Sequence, residues 1–149
     1  MINLPNEQSV TVAAKAGVIQ LVQADEDFMD LIGGNIFSQS LAEFTVDNPP
    51  SGLSFPRVHM RIVGGGASMD TWGKVHQQNL IVQHWSKKDY DQAWFIAHNF
   101  RRVVDAQTVD NFDEGTFTYR VTNPGQEVFD PTQTLYYIVQ QFRVQIFQC

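Results

Sequence analysis

Alternation constrains this chain most. In the stretch FPRVHMRIV, residues 55–63, Val58, Met60 and Ile62 fall on one side and Arg57, His59 and Arg61 on the other. A period of two marks a β-strand, because successive side chains of an extended backbone point to opposite faces. One apolar and one polar face describe a strand buried on a single side, as in an antiparallel sheet. The period returns at KVHQQNLIVQHW (74–85), where His76, Gln78, Leu80, Val82 and His84 share a face. The first part of that run is polar on both faces and is expected to project from the core. TFTYRV (116–121) sets Phe117, Tyr119 and Val121 on one side. In the closing run TLYYIVQQFRVQIFQ (134–148), Tyr136, Ile138, Phe142, Val144 and Ile146 share a face that Gln140 interrupts.

Helical spacing appears between these strands. In SKKDYDQAWFIAHNFRRVVDA (86–106), Tyr90, Ala93, Ala97, Phe100 and Val104 recur at intervals of three and four, one apolar stripe. Ser86 with Asp89 resembles a capping box at its start. Residues 6–24 favour a first helix with Val12, Ala16, Ile19 and Val22 inward. ADEDFMDLIGGNIF (24–37) predicts a short second helix capped by Asp25, with Phe28, Leu31 and Ile32 on one face and Gly33-Gly34 ending it. Residues 38–54, with a Pro-Pro pair, predict a long loop, a type that often serves function. DAQTVDNFDEG (105–115) predicts an acidic loop holding Asp110, Asp113 and Glu114. TNPGQEVFDPT (122–132) predicts a turn and a short edge segment. The expected class is α+β: a mostly antiparallel sheet packed against one long helix and N-terminal helices, with a projecting β-hairpin.

At 149 residues the chain is expected to form a single domain, 1–149. Sixteen acidic against ten basic residues give a formal charge of −6. Such a balance disfavours sequence-independent nucleic-acid binding, which needs clustered cations on phosphates. The single cysteine, Cys149, excludes an internal disulfide. Residues 1–16 lack the basic and apolar segments of a signal peptide, and no apolar run is long enough to span a membrane. A reducing cytoplasm is the expected setting.

The glycine run in RIVGGGASMD (61–70) raises the question of phosphate binding. A P-loop needs G-x-x-x-x-G-K-[ST]; counted from Gly64, Met69 and Asp70 stand where the second glycine and the lysine belong. The dinucleotide fingerprint fits Gly64 and Gly66 but meets Met69 at its third glycine. A strand pattern follows rather than a helix, so no helix N-terminus faces an anion. The glycines are expected to form a hairpin tip. His59, His76, His84 and His98 lack metal-ligand spacing. A small ligand- or metal-binding domain on the His76/His84 face is the alternative from another class. No nucleophile elbow is present, and no catalytic residue, cofactor or metal is expected.

The order of elements carries more than any motif. LVQADEDFMDLIGGNIFSQ (21–39), a proline-containing loop, FPRVHMRIV, then LIVQHWSKKDYDQAWFIAHNFRRVVDA (80–106) and YYIVQQFRVQIF (136–147) succeed one another. This succession resembles the tail terminator, or tail-completion, proteins of long-tailed bacteriophages over most of residues 18–148. The resemblance implies a virion protein assembled in the host cytoplasm, with itself as partner in a ring, typically a hexamer. That ring would cap the head-proximal end of the tail, contact the major tail tube protein and a neck or head-completion protein, and let DNA pass without specific binding. On this view Gly64, Gly65, Gly66, Met69, Asp70 and Trp72, with the 38–54 loop, are expected at subunit or tube contacts. Asp110, Asp113 and Glu114 are expected near the lumen or a neighbour. Another neck or head-closure protein, a stopper or connector, is the rival from the same setting.

Overall fold

A computed structural model describes residues 7–39, 53–63, 75–111, 115–132 and 134–147. Three helices and six strands follow in the order α1 (Glu7–Gln23), α2 (Glu26–Ile32), β1 (Ile36–Phe37), β2 (Arg57–Val63), β3 (Val75–Ser86), α3 (Tyr90–Val104), β4 (Thr108–Asn111), β5 (Gly115–Asp130) and β6 (Leu135–Phe147). The strands form one sheet, ordered β1-β2-β3-β6-β5-β4. Every pairing is antiparallel except β1 with β2, which sets Ile36 beside Val58 and Phe37 beside His59. The fold is therefore mixed α+β. It has no single long helix, since α1 has 17 residues and α3 has 15.

Local chemistry explains the helix ends. The Asp25 carboxylate accepts the Phe28 amide at 2.9 Å, satisfying one of the unpaired donors of a helix start. Gly33 (φ +61°) and Gly34 (φ +77°) end α2 in the left-handed region, and the Gly34 amide reaches the Met29 carbonyl at 2.9 Å. Asp89 caps α3 by accepting the Gln92 amide at 2.9 Å. Ser86 is not part of that cap. It is the last residue of β3, and its hydroxyl accepts the amides of Lys88 and Asp89, fixing the turn into the helix.

The helices cover one face of the sheet. Phe100 sits at the centre, edge-on to Phe28 of α2 (5.8 Å), Phe142 of β6 (5.6 Å) and His84 of β3 (5.1 Å). Truncating such a side chain to alanine costs about 3–5 kcal/mol. The α3 stripe is buried as spaced, with Ile96 and Val103 added to it. The α1 stripe is buried only in its second half: Val22 lies in the core and Ile19 packs against it, whereas Val12 is 58% exposed and Ala16 is exposed, and Ala13, Ala14 and Val18 face the core instead. The reason is close packing. Small residues leave room under α1 for the Tyr119 side chain of β5, whose hydroxyl donates to the Ala14 carbonyl at 2.7 Å. A Cβ on Gly17 would overlap that hydroxyl.

Three further expectations change. Gln78 is buried and β3 pairs with β6 along its whole length, so the polar start of β3 belongs to the sheet. Residues 122–130 are not a turn; β5 runs through them, with register shifts between Val121, Asn123 and Gln126. Gly125 tolerates the close approach of the Trp94 ring there. Finally, β2 is buried on both faces at its start, because Arg57 and His59 are as buried as Val58 and Met60.

Candidate functional site

The buried polar residues come first, since titratable groups out of water need a stated partner. Arg57 is 2% exposed. Its Nε–H donates to Nε2 of His59 at 2.8 Å, and its guanidinium lies 4.4 Å from the Phe37 ring centroid. An Nε2 that accepts leaves the proton on Nδ1, which donates to the Gln39 carbonyl at 2.9 Å. The ring stacks on Phe37. Burial, helped by the Arg57 charge, pushes the His59 imidazole down to about 4, so it is neutral at physiological pH.

His84 is held differently. Gln140 spends its amide on the carbonyls of Ala97 (3.0 Å) and Pro124 (2.9 Å), so its Oε1 must accept. It takes the His84 Nε2–H at 2.7 Å. The other nitrogen, Nδ1, is buried with no hydrogen-bond partner among the described residues. Burial pushes this imidazole down to about 3. His98 is exposed on α3, stacked with Trp94. His76 lies in β3 opposite Ile146, and its side chain is outside the described residues. The two central histidines thus serve the packing of the sheet, and no three His, Cys, Asp or Glu side chains converge among the described residues.

Of the residues singled out for assembly contacts, Gly64, Gly65, Gly66, Met69, Asp70 and Trp72 lie outside the described residues, as do Asp113, Glu114 and most of the 38–54 loop. The strands flanking the glycine run are antiparallel neighbours whose last pair is Val63 with Asn79. Asp110 is described, and it is not in a loop. It stands on the edge strand β4, paired with Thr116, whose hydroxyl donates to its carboxylate at 2.8 Å.

The face of the sheet turned away from the helices is the remaining broad surface. Near its lower end, Leu53 and Phe55 pack on Trp85 and Leu135, and Trp85 stacks on Tyr137 at 4.0 Å. Above that cluster the register sets Asn79 beside Arg143 and Arg143 beside Arg120, with Arg61 on the same face two strands away. All three arginines are exposed. Gln141 shares the row of Arg61, Gln77 and Gln145 form the next row beyond Arg143, Gln83 stands on the other side of Arg61, and Phe147 (43% exposed) and Val63 (39%) stand toward the upper rim.

The comparisons with known proteins bear on this architecture. No family model matches the sequence, and no curated protein matches it. Among solved structures, a chain in the virion of a native gene transfer agent particle superposes with a TM-score of 0.66 at 14% identity. The match covers 93% of this chain and 98% of that one. The likeness is one of fold.

Sequence reading missed Arg120 and Arg143 for a physical reason. From the β5–β6 turn, Asp130 faces Leu135 and Gln126 faces Val139. A straight count would set Arg120 against Gln145. The irregularity at residues 121–126 absorbs two residues and sets it against Arg143 instead, without changing its face.

Proposed function

We propose that this chain is a structural subunit of a phage-like virion that assembles as a ring on the head-proximal end of a tail tube. The ring ends polymerisation of the tube protein and presents the surface on which the neck of a filled head docks. The observation that supports the virion part of this reading is the end-to-end fold likeness to a chain of the gene transfer agent virion. The tube-capping role rests on the resemblance in the order of sequence elements.

The role is assembly rather than catalysis. The core histidines are consumed in packing, and the broad open face offers hydrogen-bonding and charged groups to a partner instead of a cleft to a substrate. In this reading Gly64, Gly65, Gly66, Met69, Asp70 and Trp72 make subunit or tube contacts together with the 38–54 loop. Asp110, Asp113 and Glu114 form a rim toward the lumen or a neighbouring subunit. The net charge of −6 lets DNA pass without sticking.

The test is tube capping. Purified protein added to growing tail tubes should stop elongation and appear by electron microscopy as a ring at one end. Deletion of Gly64–Gly66 should abolish capping while the far-ultraviolet circular dichroism is unchanged. Tubes that elongate past the wild-type protein would reject the reading. Binding to the head portal rather than to tubes would favour the stopper or connector role.

A further inference from the structure

We propose that the open sheet face bearing Arg61, Arg120 and Arg143 is the docking surface for a second copy of this chain, which presents the exposed acids Glu26, Asp27 and Asp30 of its α2. The inference rests on the ring reading in one respect: it supplies the face-to-back contact that a ring requires.

Arg120 and Arg143 stand directly opposite each other on neighbouring strands. Like charges in that relation destabilise a sheet. The described ion pairs are Arg101 with Asp105 and Arg102 with Asp25, so among the described residues no carboxylate neutralises Arg61, Arg120 or Arg143. A sequence that keeps an uncompensated charge pair on an exposed sheet face breaks a local stability rule, and such breaks mark functional surfaces. Arginine and aromatic side chains are the types enriched at the centres of protein interfaces, and Phe147 lies on the same face.

The occupant follows from charge. The chain carries −6 overall, and Glu26, Asp27 and Asp30 crowd one turn of α2 on the helical side of the fold. All three are exposed and form no ion pair among the described residues. The open face therefore presents a cationic patch and α2 an anionic one, although Asp110 and Asp130 also stand on the open face and Arg101 and Arg102 on the helical side. A contact between unlike faces of identical subunits is heterologous, and it closes into a ring when its rotation permits. Duplex DNA fits less well. Affinity for phosphates grows with the number of cations engaged, and three arginines on a strongly acidic chain are few.

The experiment is complementation between half-blocked variants of the full chain. Sedimentation at about 50 mM salt, where screening is weak, should show wild-type self-association that is lost in high salt. Variant R120E/R143E keeps the acidic face and variant E26K/D27K keeps the basic one. Each alone should associate about a hundredfold or more weakly than wild type, the scale for losing paired interfacial charge. Their equimolar mixture should restore association, since the native acids of one variant meet the native arginines of the other and the two reversed faces also match. R120Q/R143Q checks that the loss follows charge, and unchanged circular dichroism checks folding.

A wild-type chain that stays monomeric at low salt, variants that associate like wild type, or a mixture that does not associate would overturn the inference. So would a random-sequence 20-base-pair duplex, about two turns of the double helix, whose binding R120E/R143E abolishes while self-association is untouched. Tube capping retained in R120E/R143E would reject this surface and leave the proposed function standing. Arginine-dependent self-association without capping would do the reverse.

Discussion

His84 donates its Nε2–H to Oε1 of Gln140 across 2.7 Å, joining the two central strands β3 and β6 inside the core. Gln140 is the residue that interrupts the apolar face of the last strand, and its amide also binds the carbonyls of Ala97 in α3 and Pro124 in β5. One side chain thus ties two strands, a helix and the strand irregularity together. Replacing it with methionine, similar in size but without these partners, strands a buried imidazole N–H and removes a second donor from the Ala97 and Pro124 carbonyls. The expected loss is about 2–4 kcal/mol, read by urea unfolding, since each buried unsatisfied group costs about 1–3 kcal/mol. A loss below 1 kcal/mol, about the size of one ordinary hydrogen bond, would mean that the network is dispensable.

Acid should destabilise the protein through its two buried imidazoles. His84 and His59 are held near 3 and 4 in the fold, against 6.5 in an unfolded chain. Between those values the unfolded chain binds protons that the native one refuses, so stability falls as pH falls. It is fully present above about pH 6.5 and declines toward pH 4 by up to roughly 1.4 kcal/mol per pH unit for each histidine. Urea titrations across this window should show the decline. His84→Gln should flatten it by the share of one proton, and an equal slope in that variant would contradict the assignment.

Gly17→Ala should destabilise, although alanine is the better helix former by about 1 kcal/mol. The new methyl displaces the Tyr119 hydroxyl from the Ala14 carbonyl. A net loss of about 1–3 kcal/mol is expected, the range for overpacking. Combining it with Tyr119→Phe should recover part of that loss, and strict additivity in the double-mutant cycle would show that the two positions do not meet.

Asp89 and Ser86 separate two roles at the start of α3. Asp89→Ala removes the cap on the Gln92 amide and should cost about 1 kcal/mol. Ser86→Ala leaves that cap in place and releases the turn amides of Lys88 and Asp89 instead. Amide hydrogen exchange distinguishes them: the first variant should speed exchange at Gln92, the second at residues 88 and 89.

The sequence by itself determined the elements whose free energy is local. Alternation set the faces of β2, β3 and β6, spacing set the buried stripe of α3, and Asp25 with Gly33 and Gly34 bounded α2. Each rests on groups within a few residues of one another. Only the tertiary structure decided what those elements meet. Arg57 and His59 read as a polar strand face, yet Phe37, delivered by the parallel strand β1, covers them. Pro124-Gly125 reads as a turn, yet β5 continues through it because β6 pairs on both sides of the irregularity. Val12 reads as core, yet α1 is rotated so that Gly17 admits Tyr119. The opposition of Arg120 and Arg143, on which the docking surface rests, depends on a two-residue shift that no local pattern encodes. Periodicity fixes which side of a strand meets the helices; what covers the other side, the strand partners and the register are fixed by contacts between residues far apart in the chain.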